Sequence, residues 1–245
     1  GNWSMDHSPG YLVVDMITRL ASPYTLNPLG LNPLQDFLDE HVDFDAVHAC
    51  DAVQLFISAT NVRTGRVRVF DNRDLTSRAV MASACLPNLF PAVEIDGEGY
   101  WDGGYSGNPA LHPLIYNCEV RDIVIVQINP MDVPEIPRTA REILERVNEI
   151  TFNSSLLAEL RAIRFVGRQL AAGHLDPAQY KDMLIHSIDG EAVLGELGAS
   201  SKLNAEWAFL QMLFGKGRQA ADRWLAQNFE QIGQCSTLDL DAVLD

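Results

Sequence analysis

Short apolar runs that alternate with helix signals constrain the fold of this chain most. The run over residues 122–128 is almost continuously apolar, which predicts a strand covered on both faces. Residues 66–70 alternate strictly between polar and apolar, which predicts a half-exposed strand in a hairpin. The strands predicted in this way are residues 53–60, 66–70, 93–95, 100–101, 122–128 and 183–188. Because helices separate many of them, the sequence predicts an α/β fold.

Capping residues indicate where the helices begin and end. Asn32-Pro33 and Asn108-Pro109 each predict an N-cap followed by proline at the first helical position. Thr139-Ala140-Arg141-Glu142 reads as a capping box, and Gly173 is the expected C′ residue of the helix that follows. Further helices are predicted over residues 12–20, from Asp74 or Thr76 to 84, and on either side of Gly215-Lys216-Gly217. Prolines 23, 28 and 33 predict a loop, and Trp207, Trp224 and Phe229 are predicted core residues.

The organisation of the chain changes near Pro137. Residues 1–136 hold most of the predicted strands, whereas residues 137–245 are predicted to be mostly helical. We therefore expect an α/β body over 1–136 and a mostly helical extension of unknown role over 137–245.

The charge balance excludes one class of partner. The 18 Lys and Arg residues face 33 Asp and Glu residues, which gives a net charge of −15. Non-specific nucleic-acid binding and electrostatic attachment to anionic membranes both need clustered Lys and Arg, so neither is expected. No apolar run approaches the ~20 residues of a membrane-spanning helix, and we expect a cytoplasmic protein, with peripheral membrane contact as an option.

The cysteines indicate neither a disulfide framework nor a metal site. They are Cys50, Cys85, Cys118 and Cys235, far apart and without C-x-x-C spacing. We expect free thiols in a reducing compartment. The six histidines have no paired ligand spacing, and no cofactor or metal is expected.

Asp102-Gly103-Gly104 is the candidate for chemistry. An acid at the end of a strand can project into a cleft while glycines turn the backbone away through positive φ. Asp-Gly pairs are also common turns, and Asp96-Gly97 already provides the turn of the predicted hairpin. Because Asp102 is not needed for that turn, a functional role for its carboxylate is the alternative to a structural one.

No serine of this sequence lies in a convincing nucleophile motif. A hydrolase elbow needs Gly-x-Ser-x-Gly between a strand and a helix. Gly104-Tyr105-Ser106-Gly107-Asn108 has asparagine in place of the second glycine, and no strand leads directly into Ser106. We do not expect Ser106 to act as a nucleophile.

Residues 22–130 taken together resemble the downstream part of the bacterial branch of the patatin-like phospholipase family. The matching stretches include residues 22–34, 56–65, 82–87 and 96–109. Within the last of these, residues 100–109 resemble the Asp-Gly-Gly/Ala block of the family.

The resemblance implies a three-layer α/β/α fold and a lipid acyl hydrolase with a Ser-Asp dyad. Asp102 matches the catalytic aspartate, with Gly103 and Gly104 in its motif, and no cofactor or metal is implied. The glycine-rich oxyanion loop and the Gly-x-Ser-x-Gly elbow of the family lie upstream of the matching part. Because neither is among these residues and residue 1 is Gly, we expect a fragment or a processed chain that needs an upstream segment for its nucleophile and is inactive alone.

Other functions stay open at this stage. The chain is alternatively a non-catalytic binding or regulatory module, or a degenerate relative that has lost its site. An acyltransferase is a further alternative, because an alcohol can resolve the same acyl-enzyme instead of water.

Overall fold

The computed structural model describes residues 21–27, 32–133, 135–190, 194, 197, 201 and 204–245. The helix predicted over residues 12–20 lies outside the described residues. Contacts divide the chain into two units, one of Val13–Leu114 and one that includes Ile115–Asp245. The mixed α/β architecture with a helical C-terminal part is confirmed.

The first unit is built on a four-stranded sheet of order β2-β1-β4-β3. Every neighbouring pair in this sheet is antiparallel. Its described elements are α1 (Pro23–Leu26), α2 (Pro33–His41), α3 (Phe44–His48), β1 (Phe56–Asn61), β2 (Val67–Asp71), α4 (Ser77–Ser83), β3 (Val93–Ile95), β4 (Glu98–Asp102) and a 3-10 helix (Gly103–Tyr105). Helix α5 (His112–Asn117) follows, across the boundary between the units.

One face of this sheet packs against α4 to form the core. Ala59 of β1 and Ala79 of α4 are fully buried, and small residues allow the helix to lie close to the strands. Phe70 and Tyr100 fill the space beside them, with ring centroids 6.2 Å apart in an edge-to-face arrangement. The strand that ends at Asp102 is thereby anchored to the core through Tyr100.

Local sequence signals set several boundaries in the first unit. Asn32 and Thr76 cap α2 and α4 through their side chains, as predicted. The Asp96-Gly97 turn joins β3 to β4, and both residues have positive φ (55° and 79°). The loop predicted around Pro23 is wrong in part, because Ser22 caps the short helix α1 with proline at its first position, where no amide is needed.

The helix predicted to begin at Pro109 begins later, at His112. A helix starting at Pro109 would place Pro113 in its second turn, where proline removes a backbone hydrogen bond and clashes with the preceding turn. Starting at His112 keeps Pro113 within the first turn. Asn108 and Pro109 form a turn instead.

Among its described residues, the second unit contains a parallel pair of strands, three further α-helices and a 3-10 helix (Phe229–Gln231). These elements are β5 (Asp122–Gln127), α6 (Ala140–Ala171), β6 (Leu184–Asp189), α7 (Trp207–Asn228) and α8 (Leu240–Leu244). The register of the pair runs from Asp122 opposite Leu184 to Gln127 opposite Asp189. Thr139 and Glu142 form the capping box of α6, and Gly173 ends it at φ 72°, as predicted.

The expectation that β5 is buried on both faces is wrong. Ile123 and Ile125 are buried, but Val124 and Val126 are 42% and 69% exposed. The reason is that one face of the two-stranded sheet of β5 and β6 has little covering it among the described residues. An apolar run predicts a strand, but it does not reveal how many layers cover it.

The helix after residue 206 is continuous through both glycines, so the predicted break at Gly215-Lys216-Gly217 is wrong. Glycine costs a helix about 1 kcal/mol relative to alanine, which a long helix tolerates. The prediction that Trp207 and Phe229 are core residues is also wrong, since they are 70% and 62% exposed. At 3.6 residues per turn, Trp207 points about 100° away from Trp224, and Phe229 lies beyond the end of α7.

A buried histidine links β5, β6 and the C-terminal segment of the second unit. His186 is fully buried, with its Nε2 3.0 Å from Asp122 Oδ1 and its Nδ1 3.0 Å from Thr237 Oγ1. The amide of Gly233 also donates to Asp122, and together with His186 it lowers the pKa of that carboxyl. This packing role, which the sequence pattern does not reveal, satisfies both ring nitrogens.

In the described part of the chain, no helix has both the length and the apolar character required to cross a bilayer.

Candidate active site

Asp102 is the last residue of β4, and hydrogen bonds fix its backbone on both sides. It lies opposite Ala59 in the central strand β1. Its amide donates to the carbonyl of Cys85 at 2.9 Å, and its own carbonyl accepts from Thr60 Oγ1 at 2.8 Å. Both backbone polar groups of Asp102 therefore have a hydrogen-bond partner at the end of the strand.

The Asp102 carboxylate begins the next turn of the chain. Its Oδ1 accepts from the Gly104 amide at 2.7 Å, which caps the 3-10 helix Gly103–Tyr105. Burial raises the pKa of the carboxyl above its ordinary value, and the Gly104 hydrogen bond opposes that rise. The carboxylate is therefore partly desolvated, which makes it a stronger base than an exposed aspartate.

Two neighbouring titratable groups are kept in their neutral forms. Burial raises the pKa of the Cys85 thiol, and the Asp102 charge raises it further against a backbone hydrogen bond at Val93. The pKa of the Tyr105 phenol is raised by burial, then by Asp102 and Cys85. Both shifts favour the protonated thiol and the protonated phenol.

A cavity of about 450 Å³ lies beside Asp102, within the first unit. Small residues line much of it, among them Gly103, Gly104 and Gly107, together with Ser58 of β1. The volume lies within the range of small-molecule sites. Asp102 therefore borders a hollow that can admit a ligand, rather than lying on an outer face.

Gly103 and Gly104 serve the site differently from the sequence-based expectation. Positive φ was expected at these glycines, but neither has it. At Gly103 the requirement is space, because a Cβ there would lie 2.1 Å from the carbonyl oxygen of Ser58. At Gly104 the contribution is its amide, which holds the carboxylate.

Ser106 lies close to the motif but is not bonded to the Asp102 carboxylate among the described contacts. Its Oγ is 2.8 Å from Thr60 Oγ1, and it follows the 3-10 helix rather than a strand. This agrees with the sequence-based exclusion of Ser106 as a nucleophile. Among the described residues, no His, Cys, Asp and Glu side chains are grouped so that they could hold a metal ion.

Thr60, Ser58 and Cys85 contribute to the site although the sequence analysis did not select them. Ser58 and Thr60 alternate along β1, so both project to the same side of the sheet. Ser58 Oγ donates to the carbonyl of Gly107 at 3.1 Å, while Thr60 holds Asp102. Their hydroxyls within an apolar strand were the available signal, since a buried hydroxyl requires a hydrogen-bond partner.

Replacing Thr60 with valine should lower the free energy of unfolding by about 1–2 kcal/mol, because Thr60 is buried and both the Asp102 carbonyl and the Ser106 hydroxyl lose it as a partner. Urea denaturation of the purified protein measures the loss. Ser106→Ala is the matched control, since it removes the bond to Thr60 but leaves the bond from Thr60 to Asp102. If the free energy of unfolding falls equally in the two variants, the Thr60–Asp102 hydrogen bond contributes no stability of its own.

The part of the chain that contains this site matches a family of known proteins. Residues 11–115 match the family model of patatin-like phospholipases. Over 80 residues the chain is 32% identical to lysophospholipase NTE1 of Cryptococcus neoformans var. neoformans serotype D, in each of two strains. The aligned part makes up 33% of this chain and 5% of the relative, so the chain spans only a small fraction of that protein's length. The predicted resemblance to the patatin-like phospholipases is thus confirmed, over residues 11–115.

Proposed function

We propose that this polypeptide supplies the base of a lipid acyl hydrolase that cleaves carboxylic esters with a Ser-Asp dyad. The observation that supports this most is the position of Asp102. Its partly desolvated carboxylate borders a cavity of about 450 Å³, within the segment that matches the patatin-like family.

The reaction proceeds in two acyl-transfer steps. Asp102 accepts the proton of a serine hydroxyl, and the serine oxygen attacks the carbonyl carbon of the ester. The tetrahedral intermediate releases the alcohol, which takes up the proton, and leaves an acyl-serine. Water then attacks the acyl-serine and gives up a proton to Asp102. When the second tetrahedral intermediate collapses, Asp102 returns this proton to the serine oxygen, so the fatty acid is released and the serine is restored.

The serine and the oxyanion donors belong, in this proposal, to polypeptide outside these 245 residues. The reason is that Ser106 is bonded to Thr60 and stands in no elbow. Loss of a single oxyanion donor lowers the rate by about 10²–10³-fold, so the 245-residue chain alone is expected to be inactive.

A monoacyl phospholipid is the first substrate to test, since the aligned relatives are named lysophospholipases. The full-length protein is incubated with it, and free fatty acid is measured by mass spectrometry. Fatty acid release by the full-length protein, and none by the 245-residue chain, supports the proposal. Absence of turnover on monoacyl and diacyl lipids alike would instead favour a non-catalytic module.

A parallel incubation with glycerol distinguishes hydrolysis from acyl transfer. A hydrolase yields free fatty acid at nearly the same rate with or without the alcohol. An acyltransferase yields the acyl-glycerol ester as its main product, which would overturn the hydrolase assignment.

A further inference from the structure

The second unit contains a larger cavity, of about 750 Å³, beyond the carboxyl ends of its parallel strands. Val126 and Ile128 line it from the end of β5, and Ile188 lines it from the end of β6. Ligands of open α/β sheets bind outside the carboxyl ends of parallel strands. This cavity lies outside the residues that match the patatin-like family.

The walls of this cavity are mainly apolar and reachable from solvent. Val126 and Ile128 are 69% and 64% exposed, while Phe209 and Leu213 of α7 complete the opposite wall. Apolar side chains gathered in an open hollow, rather than scattered over a convex surface, are typical of a binding site.

Gly217 leaves open space in the cavity, and no close packing contact requires glycine at this position. A Cβ at Gly217, or at Gly215, would meet no atom within 4 Å. Glycine is unfavourable within a helix, so both positions weaken α7 without serving close contact. Of the two, only Gly217 lines the cavity.

The charges at the cavity are distributed asymmetrically. Lys216 lies on the α7 wall, and no carboxylate among the described residues forms an ion pair with it. Glu145 and Glu149 lie on the α6 wall, and Arg146 Nη1 pairs with Glu149 at 3.1 Å. The ammonium of Lys216 is thus available at the edge of the cavity to an anionic group.

We propose that this cavity binds a long-chain fatty acid. The hydrocarbon chain lies against Val126, Ile128 and Leu213, and the carboxylate binds the ammonium of Lys216. Burial of each methylene group favours binding, and the charge pair fixes the orientation of the chain. The proposal does not depend on the ester chemistry assigned to Asp102, because the two sites lie in different units.

Isothermal titration of the full-length protein with laurate, below the concentration at which laurate forms micelles, tests the site. Gly217→Phe fills part of the cavity and should weaken laurate binding about 10-fold, whereas Gly215→Phe, on the other side of the same helix, should change it less than about 2-fold. Equal binding by the two variants would overturn the proposal, and so would failure of laurate to bind the parent protein.

The headgroup is tested with ligands of the same chain length. Lys216→Met should weaken laurate binding about 3- to 5-fold and leave dodecanol binding unchanged, because methionine keeps the apolar stem without the charge. Dodecyltrimethylammonium should bind more weakly than laurate. If the cation binds as tightly as laurate, the carboxylates of α6 select the headgroup and the assignment to fatty acids is wrong.

Discussion

Replacement of Asp102 with asparagine in the full-length protein should lower kcat/KM for a monoacyl phospholipid by about 10³-fold or more. Asparagine keeps the size of the side chain and can still accept from the Gly104 amide, so the 3-10 turn is retained. It cannot accept a proton, and general-base catalysis contributes about 10²–10⁴-fold to the rate. Steady-state kinetics on the purified variant measure the loss.

The same variant should be as stable as the parent at neutral pH, or more stable. The pKa of Asp102 is raised in the folded state, so the protonated carboxyl contributes to the free energy of unfolding. This contribution is fully present below the unfolded pKa and is lost as pH rises through the folded pKa. At neutral pH the ionised carboxylate therefore costs stability, which asparagine removes. A fall in rate together with an unchanged or higher Tm distinguishes a catalytic carboxylate from a structural one.

Asp96→Asn is the matched control for this substitution. Asp96 lies in the turn at the other end of β4, where its positive φ suits asparagine equally well, and its side chain is 72% exposed. Its activity should stay within about 2-fold of the parent. Normal turnover by Asp102→Asn, or an equal loss in both variants, would remove the assignment of Asp102 as base.

The dependence of the rate on pH provides a separate measurement. Activity should fall as pH decreases through the folded pKa of Asp102, which lies above the ordinary value of about 3.9. The logarithm of kcat/KM should then decline with unit slope on the acid side. A rate that stays constant down to the ordinary pKa of an aspartate would contradict a desolvated base.

Much of the first unit could be predicted from the sequence because its signals are local. The caps at Asn32 and Thr76 and the Asp96-Gly97 turn each depend on residues adjacent in the chain, and each is observed. The helix predicted at Pro109 failed because two local rules competed, and the position of Pro113 decided between them.

The second unit could be predicted less well because burial depends on distant residues. The run in β5 predicts a strand correctly, but whether each face of that strand is covered depends on residues far away in the chain. Likewise, Gly215 and Gly217 predict a break that the length of α7 outweighs. Local propensity is a weak guide wherever tertiary contacts oppose it.

The sequence could predict the central residue of the candidate site, but not the residues that bind its backbone. Asp102 was selected because the adjoining turn did not need it. Thr60 and Cys85 lie far from it in sequence, and only the register of β1 with β4 and the end of α4 bring them to its backbone.

Replacement of Gly103 with alanine should be the most damaging small substitution in the site. The new Cβ would lie 2.1 Å from the carbonyl oxygen of Ser58 and 2.5 Å from its Oγ. The side-chain oxygen can rotate away, but the carbonyl belongs to the central strand β1 and cannot move without disturbing its pairing with β2 and β4. We expect a loss of about 3 kcal/mol in the free energy of unfolding, measured by urea denaturation.

Gly99→Ala, in the strand β4 that precedes Gly103, provides the control. A Cβ at Gly99 would meet Ala92 Cβ at 3.4 Å, an ordinary contact, so stability should change by less than about 1 kcal/mol. The double variant Ser58→Ala with Gly103→Ala should remain destabilised, because alanine at position 58 removes the Oγ but keeps the carbonyl. If that double variant regained the parental stability, the obstacle would be the serine side chain. If Gly103→Ala unfolded at the same urea concentration as Gly99→Ala, the close approach of β1 to Gly103 would not explain why position 103 is glycine.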